Sequence, residues 1–240
     1  MMTSPLTITA FALIPMIVAL IGGGLATLYA FPQKIMSALQ HFVAGIVVGT
    51  AATELLPKIV NHGAPLSIGV GFILGAGVML GIHEFAHYLA KKGSSNKLPM
   101  GLMIGSALDL FLDGLLIGIS FLAGMTGGVL VAVSLSFCAF FIVLALSSSL
   151  VKKEVHKKHQ YALIILTTLL LPIGAFVGST IISHMPYYVL IETLAFGVAA
   201  LLFLGIEELI ADAHKVHDTI WISGSFFIGF LIIVIFQNFS

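Results

Sequence analysis

Eight apolar runs, each about as long as a bilayer is thick, determine what this chain can fold into. A helix needs about 20 apolar residues to cross the hydrocarbon core, and Pro, Gly, Ser and Lys divide the sequence into segments of this kind. Because the segments leave only short connections, we expect one all-α transmembrane domain, 1–240. The predicted helices lie near 7–30, 38–60, 67–91, 99–123, 127–151, 161–183, 186–212 and 219–238.

The composition is that of a polytopic membrane protein. Hydrophobic residues make up 59% of the chain and charged residues only 8%, which excludes a soluble globular domain. No run of basic residues indicates nucleic-acid binding, and a single cysteine, Cys138, allows no intrachain disulfide. The lipid bilayer is therefore one partner, no nucleic acid is expected, and a homodimer is left open.

The lysines predict how the chain is oriented. All of them except Lys58 fall in the loops that follow the first, third, fifth and seventh segments. The positive-inside rule assigns such loops to the cytoplasm. We therefore expect both termini to face outward, in an integral protein of the plasma (inner) membrane.

Asp109 and Asp113 are the most informative polar residues. They lie one helical turn apart, on one face of a segment, Met100 to Ala123, that contains no Lys or Arg. Counted from the cytoplasmic end they lie roughly 15 and 21 Å into a core ~30 Å thick. A carboxylate at this depth costs a few kcal/mol or more unless it is paired. A bound metal cation supplies the missing charge most simply, and shared protons are the alternative.

Other acids and histidines lie nearer the ends of neighbouring segments. Glu54, in the outer half of the second segment, could receive a cation from outside. The third and seventh segments run inward, so their polar residues could release a cation to the cytoplasm. Contact with headgroup water is the structural alternative for Glu54, Glu207 and Glu208, and a solvated loop position is the alternative for His214, whereas helix-to-helix hydrogen bonding is the alternative for Asp109 and Asp113. The exit candidates are His83, Glu84, His87, Glu207, Glu208, Asp212 and His214.

The second and seventh segments share a short polar sequence. Thr-Glu-Leu-Leu at 53–56 is echoed by Glu-Glu-Leu-Ile at 207–210. The two segments run in opposite directions across the membrane. This echo suggests inverted repeats of three helices that flank helices four and five.

Four motifs resemble the ZIP (Zrt/Irt-like) family of divalent-metal transporters, over nearly the whole chain. The second segment ends in Glu54-Leu-Leu-Pro57, similar to the family's His-Leu-Leu-Pro. The most specific match is Asp109-Leu-Phe-Leu-Asp113-Gly-Leu-Leu-Ile-Gly in the fourth segment, similar to His-Asn-x-x-Asp-Gly-x-x-Ile-Gly. The stretches 172–178 and 205–214 are also close to family patterns. The resemblance implies eight helices and a mid-membrane metal site between helices four and five.

The fifth segment departs from the family. Where the family has His-x-x-Pro-Glu-Gly, residues 136–141 read Ser-Phe-Cys-Ala-Phe-Phe. The expected transport site is therefore Asp109 and Asp113, assisted by Ser136 or Ser134. Such an oxygen donor set suits Mn, Fe(II) or Mg better than Zn, although metal availability can override that preference.

We therefore expect a transporter of a divalent cation, with the metal as substrate and no obligatory cofactor, rather than an enzyme. One alternative is an intramembrane zinc metalloprotease, because His83-Glu84-Phe-Ala-His87 fits H-E-x-x-H and Asp113 could be a third ligand. The other is a family member that binds a metal without transporting it.

Overall fold

The computed structural model describes residues 4–29, 32–61, 65–92, 100–122, 124–182, 186–214 and 219–237. Within these ranges all regular structure is helical, and seven helices are long and apolar enough to cross a membrane, followed by a shorter apolar helix. The protein is an all-α polytopic membrane protein, which confirms the predicted fold class. Its helices are α1 (Pro5–Phe11 with Leu13–Leu28), α2 (Gln33–Val60), α3 (Pro65–Lys92), α4 (Met100–Leu122), α5 (Met125–Lys152), α6 (Lys157–Thr168 with Leu170–Ile182), α7 (Tyr187–Phe203, Leu204–Ile210 and Ala211–Ala213) and α8 (Ile220–Gln237).

Two helices begin earlier than the hydropathy predicted. Helix α2 starts at Gln33 rather than at residue 38, and α6 starts at Lys157 rather than at residue 161. The first turn of α6 is polar and that of α2 starts with Gln33 and Lys34, so each helix begins before its continuous apolar run. Hydropathy identifies the part of a helix that contacts lipid. In these two helices it misses the residues that extend beyond the apolar run.

Prolines interrupt α1 and α6 at comparable places. The two breaks fall at Ala12 and Leu169, and in each helix a proline, Pro15 or Pro172, follows three residues later. Proline has no N–H, so it cannot bond the carbonyl four residues before it, and its ring crowds that carbonyl. Each helix therefore consists of two stacked pieces.

Wide, π-helical turns replace the regular α-helix at two other places. They span Ala51–Leu55 in α2 and Leu204–Ile210 in α7. In α2 the wide turn comes just before Pro57, which cannot bond the Thr53 carbonyl. These two turns contain the echoed acidic sequences, and π turns are frequent at functional sites.

The helices pack as two bundles. In the first, α1 packs along α5 and α4 along α6, while α4 and α5 also contact each other. In the second, α2 packs along α8 and α3 along α7, and α2 meets the wide turn of α7. Glycines let the backbones approach within each bundle. Gly114 of α4 lies against the Leu171 carbonyl of α6, and Gly45 of α2 lies against the Phe226 carbonyl of α8.

The pairing pattern is that of a repeat. Exchanging α1–α3 with α6–α8, and α4 with α5, converts the α1–α5 pair into α6–α4 and the α2–α8 pair into α7–α3. The detail agrees, because Gly75 lies against the Phe196 carbonyl just as Gly229 lies against that of Phe42. The sequence separation between the two glycines equals that between the two phenylalanines. The contacts therefore fit the inverted three-helix repeats suggested by the sequence echo.

The glycine contacts make a test of packing within α3. A Cβ added at Gly75 would lie 2.6 Å from the Phe196 carbonyl oxygen, whereas one added at Gly77 has nothing within 4 Å. We expect Gly75→Ala to destabilise the protein by about 1–3 kcal/mol, because the backbones must separate. The matched control Gly77→Ala should be neutral or stabilising by up to about 1 kcal/mol. Thermal unfolding in detergent measures both, and equal effects would contradict this packing.

Candidate functional site

The two aspartates of α4 face the junction between the bundles. On the other side of α4, Gly114 and Gly118 pack against the backbone of α6. Asp109, Asp113 and Leu116 fall within roughly 60° of one another around the helix, away from those glycines. Leu116 in turn packs against Gly197 of α7. The acidic face of α4 is therefore directed toward the second bundle.

Both carboxylates have a buried oxygen without a partner. Asp113 is 1% exposed, and Asp109 is half-buried. Among the described residues no hydrogen-bond donor reaches Asp109 Oδ1 or Asp113 Oδ2. Buried polar atoms are nearly always hydrogen-bonded, and an unpaired buried charge is costly. These two oxygens therefore have the acceptor capacity that a cation or a shared proton would use.

Helix α5 brings a thiol to the same place. On one side of α5, Phe140 packs against Gly22 of α1. On the other side the Ser134 hydroxyl is hydrogen-bonded to that of Thr50 in α2. Cys138 lies one turn from Ser134, is fully buried, and is close enough to Asp113 for their charges to interact. Cys138 thus belongs to the side of α5 that faces the junction.

The wide turn of α7 adds a third carboxylate. Glu208, which is half-buried, lies within Coulombic range of both Asp113 and Cys138. Its neighbour Glu207 is exposed. We call Asp109, Asp113, Cys138 and Glu208 the junction cluster. Three of its members belong to the first bundle, and Glu208 belongs to the second.

Ser136, the third predicted transport ligand, does not lie on the side of its helix that faces the junction. It is buried and donates to the Ala132 carbonyl of its own helix. It lies roughly 200° around α5 from Cys138, and its role as a ligand stays a prediction. Sequence reasoning missed Cys138, although its four-residue spacing from Ser134 was a usable signal.

The remaining exit candidates are spread over two helices. The His83 ring packs edge-on against Phe203, with 5.7 Å between ring centroids, and Glu84 of the same helix is exposed. The exposed His214 lies edge-on to the buried His41, at 5.2 Å. The side chains of three further candidates lie outside the described part of the structure, namely Glu54, His87 and Asp212.

Side-chain hydrogen bonds near His41, at the start of α2, connect this helix to the end of α7. The His41 ring nitrogen Nδ1 is 2.9 Å from the Ser37 carbonyl oxygen, and the Ser37 hydroxyl donates to the Ala213 carbonyl at the end of α7. Helices α2 and α7 are therefore connected by side chains here as well as at their wide turns.

The described side chains include no set of three or more His, Cys, Asp or Glu close enough to hold a metal ion. The junction cluster would have to contract around a cation, and it has members in both bundles. Movement of one bundle against the other would therefore change the cluster.

Neither the protein-family models nor the curated proteins compared with this chain gave a match. What the site can do must therefore be inferred from its own geometry and charge.

Because Asp113 has an unpartnered oxygen, replacing it tests whether this carboxylate stabilises the fold. Asp113→Asn removes a buried charge at constant shape, so we expect an unfolding temperature equal to or above that of the wild type. Thr50→Val breaks the hydrogen bond to Ser134 and should cost about 0.5–1.5 kcal/mol. Thermal unfolding without added metal compares the two. A loss for Asp113→Asn as large as that for Thr50→Val would mean that the carboxylate holds helices together.

Proposed function

We propose that this protein carries a divalent metal cation across the membrane through the carboxylates of Asp109 and Asp113. The observation that carries the proposal is the pair of buried, unpartnered oxygens on a helix without Lys or Arg. Like charges oppose one another's ionisation when they are close, and Glu208 adds a third acid. One divalent cation offsets two of these charges at once and uses the vacant acceptor positions.

The packing supports transport rather than binding alone. Close contacts of glycines with backbone join helices within each bundle, whereas the contacts described across the junction involve side chains, as Thr50 does with Ser134 and Leu116 with Gly197. Sliding of one bundle against the other would therefore leave the tight contacts intact. Such movement would open the junction cluster to each side in turn. The motifs that resemble those of the ZIP family also favour transport, because that family is thought to slide one helix bundle against another.

A cavity between α2 and α5 supports a route to the cytoplasm. Its volume is about 320 Å³, which is room for several water molecules. The lysine distribution predicts that this end of the molecule faces the cytoplasm. The lining combines apolar and polar side chains, namely Met36, Gln40, Phe141, Leu144, Ala145, Ser148, Ser149 and Lys152. In this proposal a hydrated cation enters near Glu54, loses water to the aspartates and leaves past Glu208.

Uptake into liposomes tests the proposal directly. The double variant Asp109→Asn with Asp113→Asn should lower the rate of Mn²⁺ or Zn²⁺ uptake by about tenfold or more, a loss of about 1.4 kcal/mol or more. Glu192→Gln is the matched control, because it neutralises a half-buried acid of α7 outside the junction cluster. It should transport like the wild type. Undiminished uptake by the double variant would exclude the proposed site.

The pH dependence gives an independent test. Protons and metal compete for the same carboxylate oxygens, so the affinity for the cation should fall as the pH is lowered. Each proton displaced on binding can weaken the apparent affinity by up to about tenfold per pH unit. Isothermal titration with Mn²⁺ at several pH values measures this slope. An affinity independent of pH would show that the cation does not displace protons from these groups.

A further inference from the structure

We propose that the Cys138 sulfur is itself a ligand of the transported cation, so that the site favours thiophilic ions such as Zn²⁺ and Cd²⁺ over Mg²⁺ and Mn²⁺. This inference rests on the proposed transport function and names its substrate class. It differs from the oxygen-only donor set expected from the sequence.

Packing on both sides of α5 fixes the direction of the thiol. Phe140 and Ser147 contact Gly22 and Gly23 of α1, which identifies the face of α5 that packs inside its own bundle. Cys138 is about 160° from Phe140 and about 180° from Ser147 around the helix. It therefore points to the opposite side, where Ser134 meets α2.

The second observation is the vacant oxygen next to it. Asp113 Oδ2 is buried without a hydrogen-bond partner, on the face of α4 directed at the same junction. A buried cysteine usually packs as a small apolar side chain. Here the fully buried thiol lies within range of two acids, Asp113 and Glu208, instead of in purely apolar surroundings. In this proposal the sulfur and the unpartnered carboxylate oxygen are two ligands of a mixed coordination sphere.

A bound cation makes the thiol useful in this negative environment. Metal ligands bind in their deprotonated form, so a divalent cation at the junction would be held by the thiolate of Cys138. On binding, the S–H bond breaks, a sulfur–metal bond forms, and the proton passes to water. Thiolate ligands select Zn²⁺ and similar soft or borderline ions, whereas carboxylates alone suit Mg²⁺ and Mn²⁺. The thiol therefore sets the choice between these two classes.

The test uses Cd²⁺ with the purified protein in detergent. A thiolate–Cd²⁺ bond has an ultraviolet charge-transfer absorption, and Cys138 is the one cysteine of the sequence. We expect the wild type to show this band on titration with Cd²⁺. Cys138→Ser keeps the size of the side chain and should abolish the band. It should also weaken Cd²⁺ binding by about tenfold or more, while Mn²⁺ affinity changes by less than about threefold.

A second variant controls for folding and for adventitious thiol binding. Adding Ser147→Cys to Cys138→Ser moves the single thiol to the α1-facing side of the same helix. This double variant should bind Mn²⁺ like Cys138→Ser and show no band. Retained Mn²⁺ binding in both variants shows that they are folded.

The outcomes separate this inference from the function on which it rests. Loss of the band together with loss of the Cd²⁺ preference in Cys138→Ser supports the sulfur as a ligand. A wild type that binds Cd²⁺ without the band, or a Cys138→Ser variant that keeps the preference, overturns it and leaves transport through the aspartates standing. A wild type that binds neither Cd²⁺ nor Mn²⁺ overturns both.

Discussion

Two buried carboxylates on a helix that has no Lys or Arg are the constraint on which the rest of this structure depends. In water a carboxylate is solvated from all sides, but inside a bilayer its cost must be met by a partner. Helix α4 carries Asp109 and Asp113 but no Lys or Arg. The wide turn of α7 brings Glu208 within Coulombic range of Asp113. The arrangement brings three acidic side chains together among apolar helices. Such a site is stable when an external ion or protons occupy it.

Small residues hold the frame around this charge. Between helices in lipid there is little hydrophobic driving force, so close contact of backbones supplies much of the attraction. Gly114 against Leu171, and Gly75 against Phe196, show how far that approach goes in the two bundles. A larger side chain at either glycine would force the helices apart. The tight contacts define the bundles as units, and the contacts made by side chains mark the junction that the acidic face of α4 meets.

Hydropathy and spacing were sufficient to predict the all-α membrane fold and the shared face of Asp109 and Asp113, because apolar length and helical periodicity are local properties. The repeat could be suspected from the acidic echo. The wide turns were not predictable in the same way, since Pro57 explains the one in α2 but α7 contains no proline at the equivalent place. The direction of Cys138 depends on which helices surround α5. That is a property of packing, which one sequence pattern does not encode.

The repeat has an energetic consequence. Each half of the molecule makes contacts that the other half also makes, as Gly75 and Gly229 do against their phenylalanine carbonyls. Interchanging the conformations of the two halves would produce a second arrangement with nearly the same set of contacts, and hence a nearly equal free energy. In an inverted repeat, such an arrangement presents the centre of the molecule to the opposite membrane surface. A protein built in this way needs only a small bias, such as a modest concentration gradient, to determine which surface it faces.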